Sequence, residues 1–302
     1  MKMLRNVGMC ADVDIIVTPN GKKKGWIWDE VKSKYNIENH YGDNKKSDVL
    51  SAQANGVNGV HYTNFELNDT ERMVYKHDKQ LGLWMRCTRL QCPFNDERHI
   101  KFWNDQANIN LPVLALATLE LPNTPIAFSY RDCYNWQKIY EAMTGKQGYR
   151  LDVSRKMYLE PNEHFKKYMK FVKEIGATIV DMQGKGRSIL SFYDGKPPNT
   201  LYIGGKTPDY ITQLVQYNTK SMEKHNCFEE GPVIDFNEYG AVRGVNDHPS
   251  DVADIHKKAG QAATRYIDKF KFKPNKELLL ELVKMYDTKN FTNKNVSWAK
   301  YN

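Results

Sequence analysis

Apolar residues in this chain come in short runs, separated by glycine, proline and polar clusters. From 126 to 203 the runs alternate in type. Residues 126–129 read as a strand, 134–143 as a helix stopped near Gly145, and 149–153 as a strand ending at Ser154-Arg155. Residues 162–175 read as a helix closed by Gly176, 177–181 as a strand, 189–193 as the start of a helix and 201–203 as a strand. Strands alternating with helices predict an α/β unit with a mostly parallel sheet. Ahead of it, 26–35 and 68–83 have helical spacing, and 49–56 and 95–106 read as shorter helices. The apolar run 111–119 fits helix or strand, because a short run cannot decide between them. Later, 210–224 reads as a helix, 228–236 turns into a short strand, and 238–242 reads as a hairpin arm. Residues 251–270 and 275–286 read as amphipathic helices, the second with Leu278, Leu279, Leu282, Val283 and Tyr286 on one stripe.

These elements predict an α/β fold: a first α/β half over 1–65, which the resemblance given below implies is an incomplete Rossmann-like half, a helical linker region over 66–120, a second parallel-sheet α/β domain over 121–286, and a polar tail over 287–302. The tail is expected to be extended or packed as an arm on a partner. The breaker cluster Leu121-Pro122-Asn123-Thr124-Pro125 opens the second domain. With 302 residues there is enough chain for two cores. No run of 18 apolar residues occurs, so no membrane span is expected. The first residues lack a signal-peptide core, and the five cysteines are odd in number and spread out, with Cys87 and Cys92 the only close pair. A cytoplasmic chain with reduced thiols is the expectation. His225, His248 and His256 lack zinc-ligand spacing. The net charge of +8 comes largely from lysines scattered along helical stretches such as 165–173 and 254–273. No arginine-rich run accompanies them, so nucleic acid is an unlikely partner. A solvated basic face, or a field that suits a phosphorylated small molecule, accounts for the charge.

Two stretches carry candidate chemistry. The first runs from His40 to Val49, where Gly42 precedes Asp43, and Asp48 follows five residues later. Two carboxylates before a short helix can hold Mg²⁺, which takes few protein oxygens and keeps room for water and phosphate. The approach to Gly42 lacks a hydrophobic strand pattern. Upstream, 14–18 reads as a strand ending in Thr18, followed by Gly21-Lys22-Lys23-Lys24-Gly25 and a helix. This ordered set resembles the C-terminal half of haloacid-dehalogenase-like (HAD) phosphohydrolases, of the type found with glycan-assembly proteins. The resemblance implies that Thr18 and Lys24 (Lys22 or Lys23 less so) bind the transferring phosphoryl group, and that Asp43 and Asp48 hold Mg²⁺. The family's nucleophile lies in an Asp-x-Asp motif on an earlier strand. Asp12 and Asp14 have that spacing but share the strand that ends in Thr18. The chain is therefore expected to be a fragment, a degenerate copy, or one completed by a protein partner.

The second stretch is Asp181-Met182-Gln183-Gly184-Lys185-Gly186-Arg187-Ser188, read as a loop after the strand 177–181. Glycines let backbone amides approach an anion, and Lys185, Arg187 and Ser188 add charge and a hydroxyl. The spacing is neither a Walker loop nor a complete dinucleotide fingerprint. A tight turn with glycine for backbone reasons alone is an equal alternative. Over 121–205 the chain resembles the phosphoribosyltransferases. That likeness implies that Asp181 meets ribose hydroxyls, that Gly184 to Ser188 cradle a phosphate, and that Ser129-Tyr130-Arg131-Asp132 forms the pyrophosphate turn. Arg131, Asp132 and Arg155 follow strands, so in a parallel sheet they share one edge with Asp181. Arg131 and Asp132 read equally as a local ion pair. The expected function is phosphoryl handling of the HAD type on a phosphorylated sugar or nucleotide. The alternatives are a phosphoribosyltransferase-like transferase or phosphosugar-binding module, and a non-enzymatic assembly subunit.

Overall fold

The computed structural model describes residue 16 and residues 21–62, 65–194, 197–217, 221–226, 228–246 and 250–288. The chain divides into two compact units, Met1–Glu66 and Leu67–Asn302. The helices of the expected linker, 66–120, belong to the second unit and fill its core.

In unit 1, α1 (Gly21–Lys24) and α2 (Trp26–Lys34) precede β1 (Asn39–Gly42). A π-helical stretch, Lys45–Leu50, continues as the α-helix Ser51–Ala54 (together α3) and leads to β2 (Asn58–His61). β1 and β2 pair in parallel, with Asn39 opposite Asn58 and Gly42 opposite His61. The sequence showed no strand at β1 because Asn39 and Tyr41 are exposed, leaving no apolar alternation to read. The core is small: Ile27 and Trp28 from α2, Ala52 from α3, and Val57.

Unit 2 begins with α4 (Asp69–His77) and α5 (Lys79–Arg89), where the sequence read one helix. Asp78 breaks it. Its carboxylate accepts the Gln80 and Leu81 amides and so caps the second helix, and it also accepts the Lys273 amide. After α6 (Glu97–Asp105), a π-helical stretch Gln106–Asn110 runs into α7 (Leu111–Leu119), which settles that ambiguous run as helix. Then come β3 (Ile126–Ser129), α8 (Tyr134–Thr144), β4 (Tyr149–Leu151), α9 (Arg155–Leu159), α10 (Glu163–Glu174), β5 (Thr178–Gly184), α11 (Arg187–Phe192), β6 (Thr200–Gly205) and β7 (Thr212–Gln213). After a short α12 (Ser221–Lys224), β8 (Val233–Asn237) and β9 (Gly240–Arg243) form an antiparallel hairpin. α13 (Ser250–Thr264) and α14 (Lys276–Thr288) complete the unit. Residues 210–217 do not form the first part of the helix that the pattern over 210–224 suggested, and among the described residues of that stretch helix is confined to Ser221–Lys224. The edge of β6 offers the Tyr202 and Ile203 carbonyls, and the Leu214 and Val215 amides take them, extending the ladder begun by β7.

The five strands β3–β7 form one parallel sheet in the order β4-β3-β5-β6-β7. The alternation along the strands divides the core. Phe128, Val180, Met182 and Ile203 face one layer, packed with α5, α7, α8, α13 and α14. Ala127, Leu151, Ile179 and Tyr202 face the other, packed with α9, α10 and α11. The α14 stripe predicted from sequence is wholly buried in the first layer. Among the described residues no helix is long and apolar enough to cross a membrane. The mixed α/β class with a parallel sheet and a helical C-terminal part is thus the observed architecture.

Candidate functional site

The strand order places the strongest site position. The chain runs outward from β3 to β4, then returns past β3 to start β5, so the order reverses between β3 and β5. In such sheets the crevice past the carboxyl ends of the strands at that reversal is where ligands bind. Ser129-Tyr130-Arg131-Asp132 leaves β3 there, and Asp181 lies on β5. Arg131 holds φ at +90°, a region that non-glycine residues rarely occupy, which marks this turn as backbone held under constraint.

Asp181 accepts the Met182 amide at 2.7 Å and is hydrogen-bonded to the Ser129 side chain. Burial, and then the negative charge of Asp132, push its carboxyl well above the ordinary range against those bonds. The register sets Asp181 of β5 one pair beyond Phe128 and Val180, level with the end of β3 that leads to Asp132. Asp132 lies 3.5 Å from the Arg131 guanidinium, the local ion pair also read from sequence. Arg155 is exposed at the start of α9, past the carboxyl end of β4. The edge also holds a cluster that the sequence did not reveal. Arg150 lies 3.5 Å over the Tyr130 ring, and Tyr134 stacks on Phe228 with Tyr130 edge-on to both. Arg150 and Arg243 share the carboxylates of Asp152 and Glu230. The only hint was the alternation of Arg150 and Asp152 along a strand.

The stretch read as the loop 183–188 is mostly regular structure. Gln183 and Gly184 belong to β5, Arg187 and Ser188 to α11, and only Lys185-Gly186 forms the turn. Both glycines have steric reasons. A Cβ on Gly184 would meet the Tyr202 ring at 3.1 Å, and Gly186 sits at φ +64° with Ile211 2.1 Å from where its Cβ would lie. The close packing at these two positions gives glycine a steric role there, whether or not the backbone amides meet an anion. The charge remains. Lys185 and Arg187 line a cleft of about 580 Å³ together with Gly205, Lys206, Thr207, Pro208, Asp209, Gln213, Gln216 and Tyr217. Lys185, Arg187, Lys206 and Asp209 take part in no ion pair or side-chain hydrogen bond among the described residues. Lys206 and Asp209 were missed; the sequence signal for them was Gly204-Gly205 at the end of a strand. Gly205, at φ +145°, comes so close to the Gly184 carbonyl that a Cβ would lie 2.6 Å from it.

Unit 1 assembles its candidates differently. Thr18, Asp12 and Asp14 lie outside the described residues. Lys24 is exposed at the end of α1, and it is Lys22 that reaches the carboxylate of Asp48, at 3.0 Å. Asp48 is buried within the π-helical part of α3, and its other oxygen accepts the Asn44 amide at 3.0 Å. Gly42 is glycine because Asp48 packs on it: an added Cβ would lie 2.2 Å from that of Asp48. Burial raises the Asp48 pKa, but the Asn44 amide, Lys22 and His40 outweigh it and hold the carboxyl below its ordinary value. Burial and the Lys22 charge depress the His40 imidazole, whose Nε2 is 3.7 Å from Asp48. Asp43 is exposed, and its backbone carbonyl meets His61 Nε2 at 2.9 Å. Among the described residues no three His, Cys, Asp or Glu side chains gather as metal ligands. Both Asp48 oxygens accept from protein donors, one from Lys22 and the other from the Asn44 amide.

The sequence matches no family model and no curated protein.

Proposed function

We propose that unit 2 is a phosphosugar-binding module, of the phosphoribosyltransferase-like kind, which takes the phosphate of its ligand in the cleft beside the Lys185-Gly186 turn. The observation that carries this reading is the set Lys185, Arg187 and Lys206, three cations lining one cleft at the carboxyl edge of a parallel sheet with no counter-ion among the described residues. Like charges left together cost stability unless a bound anion offsets them. Asp181, upstream on the same strand at the reversal point, has its carboxyl pushed toward the neutral form by burial and by Asp132, a perturbation of the kind that gathers at functional sites. Titration calorimetry with inorganic phosphate and ribose 5-phosphate at low salt tests it. Binding around the millimolar level, about 4 kcal/mol, is expected. It should weaken with added salt and disappear when Lys185, Arg187 and Lys206 are all replaced by Ala. A parent protein that binds neither compound would sink the reading.

For unit 1 the Lys22–Asp48 pair favours a second reading, descent from a HAD-like phosphoryl-handling half in which lysine and carboxylate have kept their neighbourhood while activity has lapsed. The expected result is no magnesium-dependent hydrolysis of phosphate esters. Magnesium-dependent thermal stabilisation that Asp48→Asn abolishes would restore a metal to this unit.

A further inference from the structure

The cleft of unit 2 has two chemically different walls. Lys185, Arg187 and Lys206 supply positive charge. Asp209 lines the same space, yet no cation stands within ion-pair distance of it among the described residues. Four groups of opposite sign around one cleft would neutralise one another if they could reach, so the space between them keeps them apart. The acceptor wall is held in place. In its better-bonded orientation the Gln213 amide donates to the Gly205 carbonyl at 2.9 Å and accepts from the Thr207 amide at 3.1 Å, which braces the turn carrying Pro208 and Asp209. Gln216 and Tyr217 add further polar groups, and the Tyr217 hydroxyl is anchored on Asp287 at 2.9 Å.

The volume of about 580 Å³ is the size of a small-molecule site and far larger than a lone phosphate needs. A ligand with one anionic end and a donor-rich end matches both walls. A polyphosphate would bring negative charge to Asp209. A nucleobase would want apolar faces, and Pro208 and Tyr217 supply few. We infer that the cleft accepts a sugar monophosphate, with its phosphate among Lys185, Arg187 and Lys206 and its hydroxyls donating to Asp209, which sets specificity for the sugar over free phosphate. This rests on the phosphate reading above and adds the identity of the other end of the ligand.

The experiment compares inorganic phosphate, ribose 5-phosphate, pyrophosphate and AMP on the parent and on Asp209→Ala and Asp209→Asn. A hydrogen bond to a charged acceptor predicts ribose 5-phosphate binding about tenfold tighter than phosphate in the parent. Asp209→Ala should erase that preference while phosphate affinity stays within about twofold, and pyrophosphate should bind better once the negative charge is gone. Asp209→Asn, which keeps a carbonyl acceptor, should retain part of the preference and show that the fold is intact. Equal affinity for phosphate and ribose 5-phosphate in the parent overturns the assignment and leaves the anion site standing. So does an equal loss for both in Asp209→Ala, or AMP binding tighter than ribose 5-phosphate. Failure of phosphate and sugar phosphate alike overturns the anion site itself.

Discussion

Both units bring lysine near an acid past the end of a strand, and they treat the charges in opposite ways. In unit 1 Lys22 reaches Asp48, the Asn44 amide takes the second oxygen, and the π-helical stretch is pinned across β1. In unit 2 Lys185, Arg187 and Lys206 line a cleft and pair with no acid among the described residues, while burial and the charge of Asp132 push Asp181 toward its neutral form. The first arrangement satisfies itself and stabilises a small core. The second is left wanting, which is the state expected of groups that meet a ligand. Motif spacing put Asp48 and Lys185 on the same footing; their partners separate them.

Four measurements can break or sharpen this contrast. The largest effect belongs to the large core. Phe128→Ala, at a wholly buried position on the interior strand β3, should cost unit 2 about 3–5 kcal/mol in urea unfolding. A loss under 1 kcal/mol would deny that the two layers on the sheet are the main support of this unit.

Next comes Asp48→Ala, which leaves the Asn44 amide unpaired and removes the Lys22 pair. A loss of about 1–3 kcal/mol in unit 1 is expected. Lys22 is half exposed, so solvent screens its share and the amide bond carries most of the effect. The pH dependence has a definite sign. The folded pKa of Asp48 lies below its unfolded value, so the contribution is full above the unfolded value and is lost as pH falls through the folded one. Parent and variant should converge in acid, and a gap that persists there would show that packing on Gly42, rather than charge, is responsible.

Asp181→Asn should act in the opposite direction. Its folded pKa is raised, so folding favours the protonated acid, and stability is lost as pH rises from the unfolded value toward the folded one. The variant should be more stable than the parent at pH 8 and indistinguishable from it near pH 3. A destabilised variant at pH 8 would mean that the carboxylate is supported by its surroundings. The smallest stability effect belongs to Lys185→Ala, Arg187→Ala and Lys206→Ala, each expected within about 0.5 kcal/mol of the parent. A cost above 1 kcal/mol for any of them would give that residue a structural partner and weaken the contrast.

How much the sequence disclosed follows the same physics. The alternation from 126 to 203 was readable because strands buried on both sides are short apolar runs, and helices between them have clear caps such as Asn162 and Gly145. The α14 stripe was readable for the same reason. β1 was not, because polar residues make it, and the segment 210–217 was not, because a neighbouring strand's carbonyls override local spacing. At the site, Arg131 and Asp132 were legible from their place after a strand, whereas Asp181, read as a strand's end, lies mid-strand because β5 runs on to Gly184. Gly184 and Gly186 were legible as glycines that matter, but the reason lay in Tyr202 and Ile211, residues distant along the chain. Lys206 and Asp209 had only Gly204-Gly205 before them as a local sign, and their place becomes visible when the turns after β5 and β6 line one cleft.

The larger core of unit 2 is sealed by both ends of its sequence. Leu111, Leu114 and Leu116 come from early in the unit, Leu278, Leu282 and Tyr286 from its last helix, and α7 packs on α14. During synthesis, at about 5–20 residues per second, on the order of 10–30 s separates the emergence of α7 from that of α14. Throughout that interval the nascent sheet presents Phe128, Val180 and Ile203 with their cover incomplete, whereas every element of unit 1 has already left the ribosome. Chaperone attention is therefore expected to concentrate on nascent chains that have passed β6 and not yet reached Leu278, and a pause there would expose the chain to aggregation longer than a pause anywhere in unit 1.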